Sequence, residues 1–160
     1  MMSDTWLTPV AIIGQLGSFD LDPCAAISQP WATAKKHYTI TDDGLAQEWK
    51  GRVWLNPPYS REAVIWLRRL SQHGNGIALM FARTETKWFW ETVWESSTAS
   101  AIMFLRNRLY FYKANGNRAK ANAGAPSVLV AYGYSNAKVL ENSLIDGYFV
   151  SLERKANGRI

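Results

Sequence analysis

Residues 77–82 (Ile-Ala-Leu-Met-Phe-Ala) and 101–105 (Ala-Ile-Met-Phe-Leu) are unbroken apolar runs, and Val53-Trp54-Leu55 is a shorter one. Runs of this kind suit strands covered on both faces, as at the centre of an α/β sheet. Between them the period changes. Over residues 62–73 the apolar side chains Ala63, Ile65, Trp66, Leu67 and Leu70 recur at helical spacing, and Gly74-Asn75-Gly76 stops the pattern. Further helices are predicted at 9–16, 87–95 and 136–143. The first has Thr8 as cap, Pro9 as first helical residue, Val10, Ile13 and Leu16 on one side, and Gly17 as its stop. The second has Thr84 or Thr86 as cap. Further strands are predicted at 19–22, 36–40, 108–112, 127–132 and 148–152. In 108–112, Leu109 and Phe111 alternate with Tyr110 and Tyr112, as in a half-exposed strand. Strands 108–112 and 127–132 are expected to pair as an antiparallel terminal hairpin. Residues 27–36 read as a loop, and residues 154–160 as frayed.

Composition narrows the class. The chain has 160 residues, 48% hydrophobic and 13% aromatic, which suits one domain over residues 1–160 with a proper core. No apolar run approaches the roughly 18 residues that span a membrane, and the N-terminus has no basic region leading into an apolar run. The single cysteine, Cys24, excludes an internal disulfide and cysteine-rich metal sites, and His37 and His73 are not at ligand spacing. A reducing cytoplasm and no metal are expected.

Charge changes the picture more than composition does. The formal net charge is +5, and residues 1–95 carry nine basic and ten acidic groups. Residues 96–140 carry six basic groups and no acid: Arg106, Arg108, Lys113, Arg118, Lys120 and Lys138. Such a segment suits a surface that meets phosphate. Within it, residues 113–126 form a long Gly/Asn-rich loop, too polar for core and a candidate grip on a nucleic-acid backbone.

The candidate chemistry lies where Arg52-Val53-Trp54-Leu55 runs into Asn56-Pro57-Pro58-Tyr59. Two successive prolines fix two φ angles and remove two donors, so the strand ends in a rigid loop. In open α/β sheets ligands bind at that edge. The Asn56 side-chain oxygen and the Pro57 carbonyl are two fixed acceptors, able to take both hydrogens of one exocyclic amine. Tyr59 offers a flat face for a base. Asp20 and Asp22 flank the end of the first predicted strand, where a carboxylate can meet an ammonium or a sugar hydroxyl. Pro23 and Cys24 follow. A carboxylate at Asp42 or Asp43 can accept from an adenine amine or ribose hydroxyls, and an Asx-turn explains either equally well. The cluster Arg83-Thr84-Glu85-Thr86-Lys87 ends the strand at 77–82, on the same edge as Asn56. Arg83, Thr84 and Lys87 are therefore expected to face nucleic acid, together with Arg106, Arg108, Lys113, Arg118 and Lys120.

Asn-Pro-Pro-Tyr resembles the catalytic loop of S-adenosylmethionine-dependent amino-methyltransferases, Asp/Asn/Ser-Pro-Pro followed by Tyr, Phe or Trp. It does not by itself separate adenine N6, cytosine N4 and glutamine-amide acceptors. Asp22-Pro23 resembles their cofactor loop, but Cys24, Ala25 and Ala26 stand where glycines are usual. Six strings in order resemble the small phage-type DNA N-6-adenine methyltransferases related to Dam. They are Trp6-Leu7-Thr8-Pro9, Phe19 to Ala25, Asp43-Gly44-Leu45, Val53 to Ser60, Arg83 to Phe89, and Arg108-Leu109 with Phe111.

The resemblance implies a reduced, Rossmann-like class I methyltransferase sheet, mostly parallel with an antiparallel C-terminal hairpin. It implies no separate target-recognition domain. It implies S-adenosylmethionine as methyl donor, held by Thr8, Pro9, Asp20, Asp22, Pro23, Cys24, Asp42 or Asp43, and Asn56. It implies an adenine flipped out of duplex DNA as acceptor, met by Asn56, Pro57, Pro58 and Tyr59, in a bacterial or phage-infected cell. The alternatives are a glutamine-amide methyltransferase of the release-factor type, a cytosine-N4 enzyme, and an inactive nucleic-acid-binding module.

Overall fold

The computed structural model describes residues 6–152. The expectation for residues 154–160 lies outside them. One seven-stranded sheet runs through the described residues, in the order β2-β1-β3-β4-β6-β5-β7. Its strands are β1 (Leu21–Asp22), β2 (Lys36–His37), β3 (Val53–Leu55), β4 (Gly76–Phe81), β5 (Ala99–Leu105), β6 (Ser127–Tyr132) and β7 (Gly147–Ser151). The three pairs among β1 to β4 are parallel. The pairs β4–β6, β5–β6 and β5–β7 are antiparallel and hold the longest ladders. The sheet is thus mixed, not mostly parallel. Strands β1 to β5 still share one direction, so the ends of β1, β3, β4 and β5 lie along one edge.

The predicted hairpin is corrected. Residues 108–112 form no strand, and their ladder contacts reduce to Tyr112 bridging Leu7 and Arg118. Instead β6 inserts between β4 and β5. Its six residues are all buried, so it needs a sheet partner and an apolar layer on each side. The half-exposed stretch 108–112 supplies neither. Residues 109–123 turn back on themselves irregularly, with the amides of Ala119 and Ala123 donating to Phe111 and Leu109. This segment is less polar than expected, because Ala123 and Ala125 are buried.

Alternation along the strands sorts the core into two layers. Trp54, Ile77, Leu79, Ala101, Met103, Leu129 and Ala131 face α1 (Val10–Ile13), the 3₁₀ turn Gly14–Leu16 that follows it, and α4 (Tyr134–Asn142). Val53, Leu55, Ala78, Met80, Ile102, Val128 and Val130 face α2 (Ala63–His73) and the segment from α3 (Lys87–Phe89) onward. That segment continues as a π-helical turn, Trp90–Trp94, where Glu95 N–H reaches back to the Trp90 carbonyl at 2.8 Å. The plain helix predicted for 87–95 gives way because the Thr92 hydroxyl takes the Trp88 carbonyl, at 2.8 Å, and Tyr132 donates to the Thr92 carbonyl. Thr86, one of the two candidates, caps α3 by accepting from Phe89 N–H.

Both crossovers from β1 to β2 and from β2 to β3 are irregular, without a helix. The second is clamped by Arg69 of α2. Its guanidinium donates to the carbonyls of Leu45 (2.6 Å) and Gln47 (2.7 Å) and lies over the Trp49 ring. Among the described residues no helix is long and apolar enough to cross a membrane.

Candidate active site

The ends of β1 and β3 border a cleft of about 620 Å³. It is lined by Trp6 to Thr8 before α1, Asp22 to Ala26 at and after the end of β1, Gln29 and Thr33, Thr39, Ile40, Asp43, Gly44 and Leu45 after β2, Asn56 to Ser60 after β3, and Glu62, Ile65 and Trp66 at the start of α2. The structure therefore brings together Thr8, Asp22, Pro23, Cys24, Asp43, Asn56, Pro57, Pro58 and Tyr59. The carboxylates of Asp22, Asp43 and Glu62 are there, and among the described residues no lysine, arginine or histidine lines the cleft. A cationic ligand suits such a wall.

Asn56 is held by residues from the start of the described chain. Its Nδ2 donates to the Trp6 carbonyl (2.9 Å) and to Thr8 Oγ1 (3.2 Å). The Tyr59 hydroxyl donates to Asn56 Oδ1 at 3.2 Å. These partners fix which way the amide points: nitrogen toward residues 6–8, oxygen toward Tyr59, with a lone pair to spare. Thr8 is 2% exposed. Its hydroxyl serves Asn56 and does not cap α1, whose first turn has no side-chain cap. Among the described residues no hydrogen bond uses the Pro57 carbonyl, whereas that of Pro58 accepts from Ser60.

Tyr59 is half-buried, with one face stacked on Phe81 at 4.1 Å and 15° and its edge against Phe111 at 5.8 Å. Burial pushes its hydroxyl above the usual tyrosine range, so it donates as a neutral phenol.

Asp22 ends β1 and is 4% exposed. Its carboxylate accepts from Cys24 N–H (3.1 Å) and from the Thr33 hydroxyl. Burial pushes it up to about 6, and those two donors oppose the rise. Cys24 is pushed up to about 12 by burial and then by Asp22 and Glu62, so it is a neutral thiol.

Other candidates sit elsewhere. Asp20 precedes β1 at the opposite edge, where it accepts from Arg52 N–H (2.8 Å) and pairs with Lys35. Asp42 folds back to accept from Thr39 N–H (2.8 Å), the turn explanation. Asp43, with φ of 54°, lines the cleft. Pro9 is not in the lining, and its carbonyl accepts from Ile12 N–H.

Of the cations expected at nucleic acid, Arg83, Lys87, Arg108, Lys113, Arg118 and Lys120 are exposed and in no ion pair among the described residues. Arg118 lies over the Tyr110 ring at 4.2 Å. Arg106 pairs with Asp146 at 3.0 Å. Thr84 is half-buried, and its carbonyl accepts from the Trp94 indole. Arg83 and Thr84 follow the end of β4, and Arg106 and Arg108 the end of β5, on the same edge of the sheet as the end of β3.

Sequence reasoning missed Gln29, Thr33, Gly44, Glu62 and Trp66. Gly44 had the one readable signal, its place in an Asp-Asp-Gly turn. A Cβ there would collide with the Pro23 carbonyl and crowd Trp66, so only glycine lets the two cleft walls meet.

The profile described as DNA N-6-adenine-methyltransferase (Dam) matches residues 1–145. A DNA N-6-adenine-methyltransferase of Escherichia phage T1 is 36% identical over 97 residues, 55% of this chain and 40% of that protein. One of Haemophilus phage HP1 is 28% identical over 168 aligned positions, 98% of this chain and 92% of that protein. The chain thus spans less than half of the first relative and nearly all of the second. No solved structure matches it. The chain belongs to the DNA N-6-adenine-methyltransferase (Dam) family.

Proposed function

We propose that the chain does what its family name states, methylating adenine N6 in DNA, with S-adenosylmethionine as donor. The observation that carries this reading is one cleft that holds both a buried carboxylate, Asp22, and an amide of fixed orientation, Asn56, at adjacent strand ends. The sheet order, with β6 reversed between β4 and β5, supports a Rossmann-like methyltransferase arrangement.

The residues present suit the cofactor. It carries an ammonium, a sulfonium and one carboxylate, a net positive charge, and among the described residues the lining has three carboxylates and no lysine, arginine or histidine. Asp22 would meet the ammonium, Asp43 the ribose or adenine, and Ile65, Trp66 and Leu45 supply apolar walls. Bound there, S-adenosylmethionine supplies an electrophilic methyl group.

The target adenine cannot be reached within a duplex and must be flipped out. Tyr59, backed by Phe81, offers it a stacking face worth about 1–3 kcal/mol. Asn56 Oδ1 and the Pro57 carbonyl accept the two N6 hydrogens, which turns the nitrogen lone pair out of conjugation with the ring. Because Asn56 is already held by Trp6 and Thr8, this alignment needs little reorganisation. The exposed cations at 108–120, in no ion pair among the described residues, grip the DNA backbone, and sequence reading falls to the same loops. The reaction belongs in the cytoplasm of a bacterial or phage-infected cell.

The test is transfer of labelled methyl from S-adenosylmethionine to unmethylated DNA, with RNA and a release-factor protein as parallel acceptors. Label recovered as N6-methyladenine is expected. Label as N4-methylcytosine or in the protein would overturn the acceptor assignment.

A further inference from the structure

Nothing in the sequence patterns singles out Gln29 or Thr33, in the segment between β1 and β2, yet they adjoin Asp22, the most buried carboxylate of the cleft. We propose that Thr33 is a positioning residue for Asp22, setting the orientation and charge with which that carboxylate meets the cofactor's ammonium. The proposal rests on the cofactor reading above.

A directed chain of hydrogen-bond donors leads to Asp22. Ala26 N–H donates to Gln29 Oε1 at 3.2 Å, which orients the Gln29 amide. Gln29 Nε2 then donates to Thr33 Oγ1 at 3.2 Å. That occupies a Thr33 lone pair, and of the two acceptors beside the Thr33 hydroxyl, Asp22 Oδ2 is nearer than His37 Nε2 at 3.4 Å, so the single proton goes to Asp22. Each bond in such a chain polarises the next. Cys24 N–H holds the other carboxylate oxygen. Both oxygens keep a lone pair to spare, and Asp22, Gln29 and Thr33 all line the cleft.

The backbone of Thr33 is pinned as well. His37 Nε2 lies 3.3 Å from both Thr33 N and Ala34 N. Amides only donate, so Nε2 carries no proton and His37 is neutral with its hydrogen on Nδ1. Burial lowers its pKa in the same sense. The titratable groups around this network are Asp22, Cys24 and His37, with Glu62 and Asp43 across the cleft and Lys36 beside His37 on β2.

The experiment compares Thr33→Val, which keeps the shape and loses the hydroxyl, with Thr33→Ser, which keeps it. Cofactor affinity is measured by calorimetry from pH 5 to 8, alongside melting temperature and steady-state methylation. Thr33→Val is expected to weaken S-adenosylmethionine about ten- to hundredfold, as loss of a hydrogen bond to a charged group does. KM for the cofactor should rise, with kcat at saturation changed little. The acid limb of affinity, set by Asp22, should move to higher pH, because the lost donor favoured the ionised form. Thr33→Ser should restore both. Wild-type affinity with an unmoved limb in Thr33→Val would overturn the proposal, and so would equal losses in both variants. If Thr33→Val does not fold, Gln29→Leu gives the same reading with a smaller loss and the same direction of shift; unchanged affinity there overturns it. If the wild type binds no S-adenosylmethionine at any pH, the cofactor reading itself falls.

Discussion

Asp22 makes a quantitative prediction that needs neither DNA nor cofactor. Its carboxylate is raised from the ordinary 3.8 to about 6, chiefly by burial. That gap corresponds to about 3 kcal/mol, at about 1.4 kcal/mol per pKa unit. Between pH 4 and 6 the folded protein holds a proton here that the unfolded chain has released. Stability contributed by this group therefore falls as pH rises through that window, and above pH 6 the ionised carboxylate is a standing cost. Asp22→Asn removes the titration and keeps the shape. Denaturant unfolding of both proteins at intervals from pH 4 to 8 isolates the effect, since other groups titrate alike in each. The stability of Asp22→Asn relative to wild type should increase by up to about 3 kcal/mol from pH 4 to pH 7.5 and level off above pH 6. Some will be lost because one Asn atom now faces Cys24 N–H or Thr33 as a donor, but that loss is independent of pH. A difference that stays flat, or shrinks as pH rises, would refute the argument that burial governs this carboxylate. The same variant should lose cofactor affinity, a gain in stability set against function.

Asn56→Ala should abolish methyl transfer while leaving calorimetric binding of S-adenosylmethionine within a few-fold of wild type; equal loss of both would remove Asn56 from the acceptor side. Tyr59→Phe removes only the hydroxyl bond to Asn56 and should lower kcat/KM about tenfold or less, whereas Tyr59→Ala also loses the stacking face and should fall further. Similar rates for the two would show that the ring does not meet the base. Lys120→Ala and Lys113→Ala should each reduce the slope of log affinity against log salt by about 0.9 if each meets one phosphate. An unchanged slope in fluorescence anisotropy with duplex DNA would take that residue off the interface. Gly44→Ala should weaken cofactor binding through its collision with the Pro23 carbonyl, and wild-type affinity would mean that the turn shifts freely.

What the sequence made legible were features set by local rules. Unbroken apolar runs became β4 and β5, the periodic stretch after the two prolines became α2, and the prolines ended β3 at the cleft. What it concealed depends on distant partners. The choice of β5 over residues 108–112 as the neighbour of β6 is decided by burial on both faces, which alternation within 108–112 does not reveal. The roles of Thr8 and Thr33 were hidden for the same reason. A threonine before a proline looks like a cap, and a threonine in a loop looks like solvent-exposed polarity. Only the folded chain sets the first beside Asn56 and the second beside Asp22. Asp20 and Asp22 are two residues apart and look equivalent, yet they stand at opposite ends of a two-residue strand.

Leu7 and Tyr112 exchange two backbone hydrogen bonds, at 2.8 and 3.0 Å. Leu7 sits between Trp6 and Thr8, the two residues that hold the Asn56 amide. The Asn-Pro-Pro-Tyr loop is therefore not a portable cassette. Transplanted onto another strand end it would carry its prolines and its aromatic ring, but its asparagine would be free to turn over. A working graft must import two further pieces of chain, one on each side in sequence, neither of which bears any reacting group.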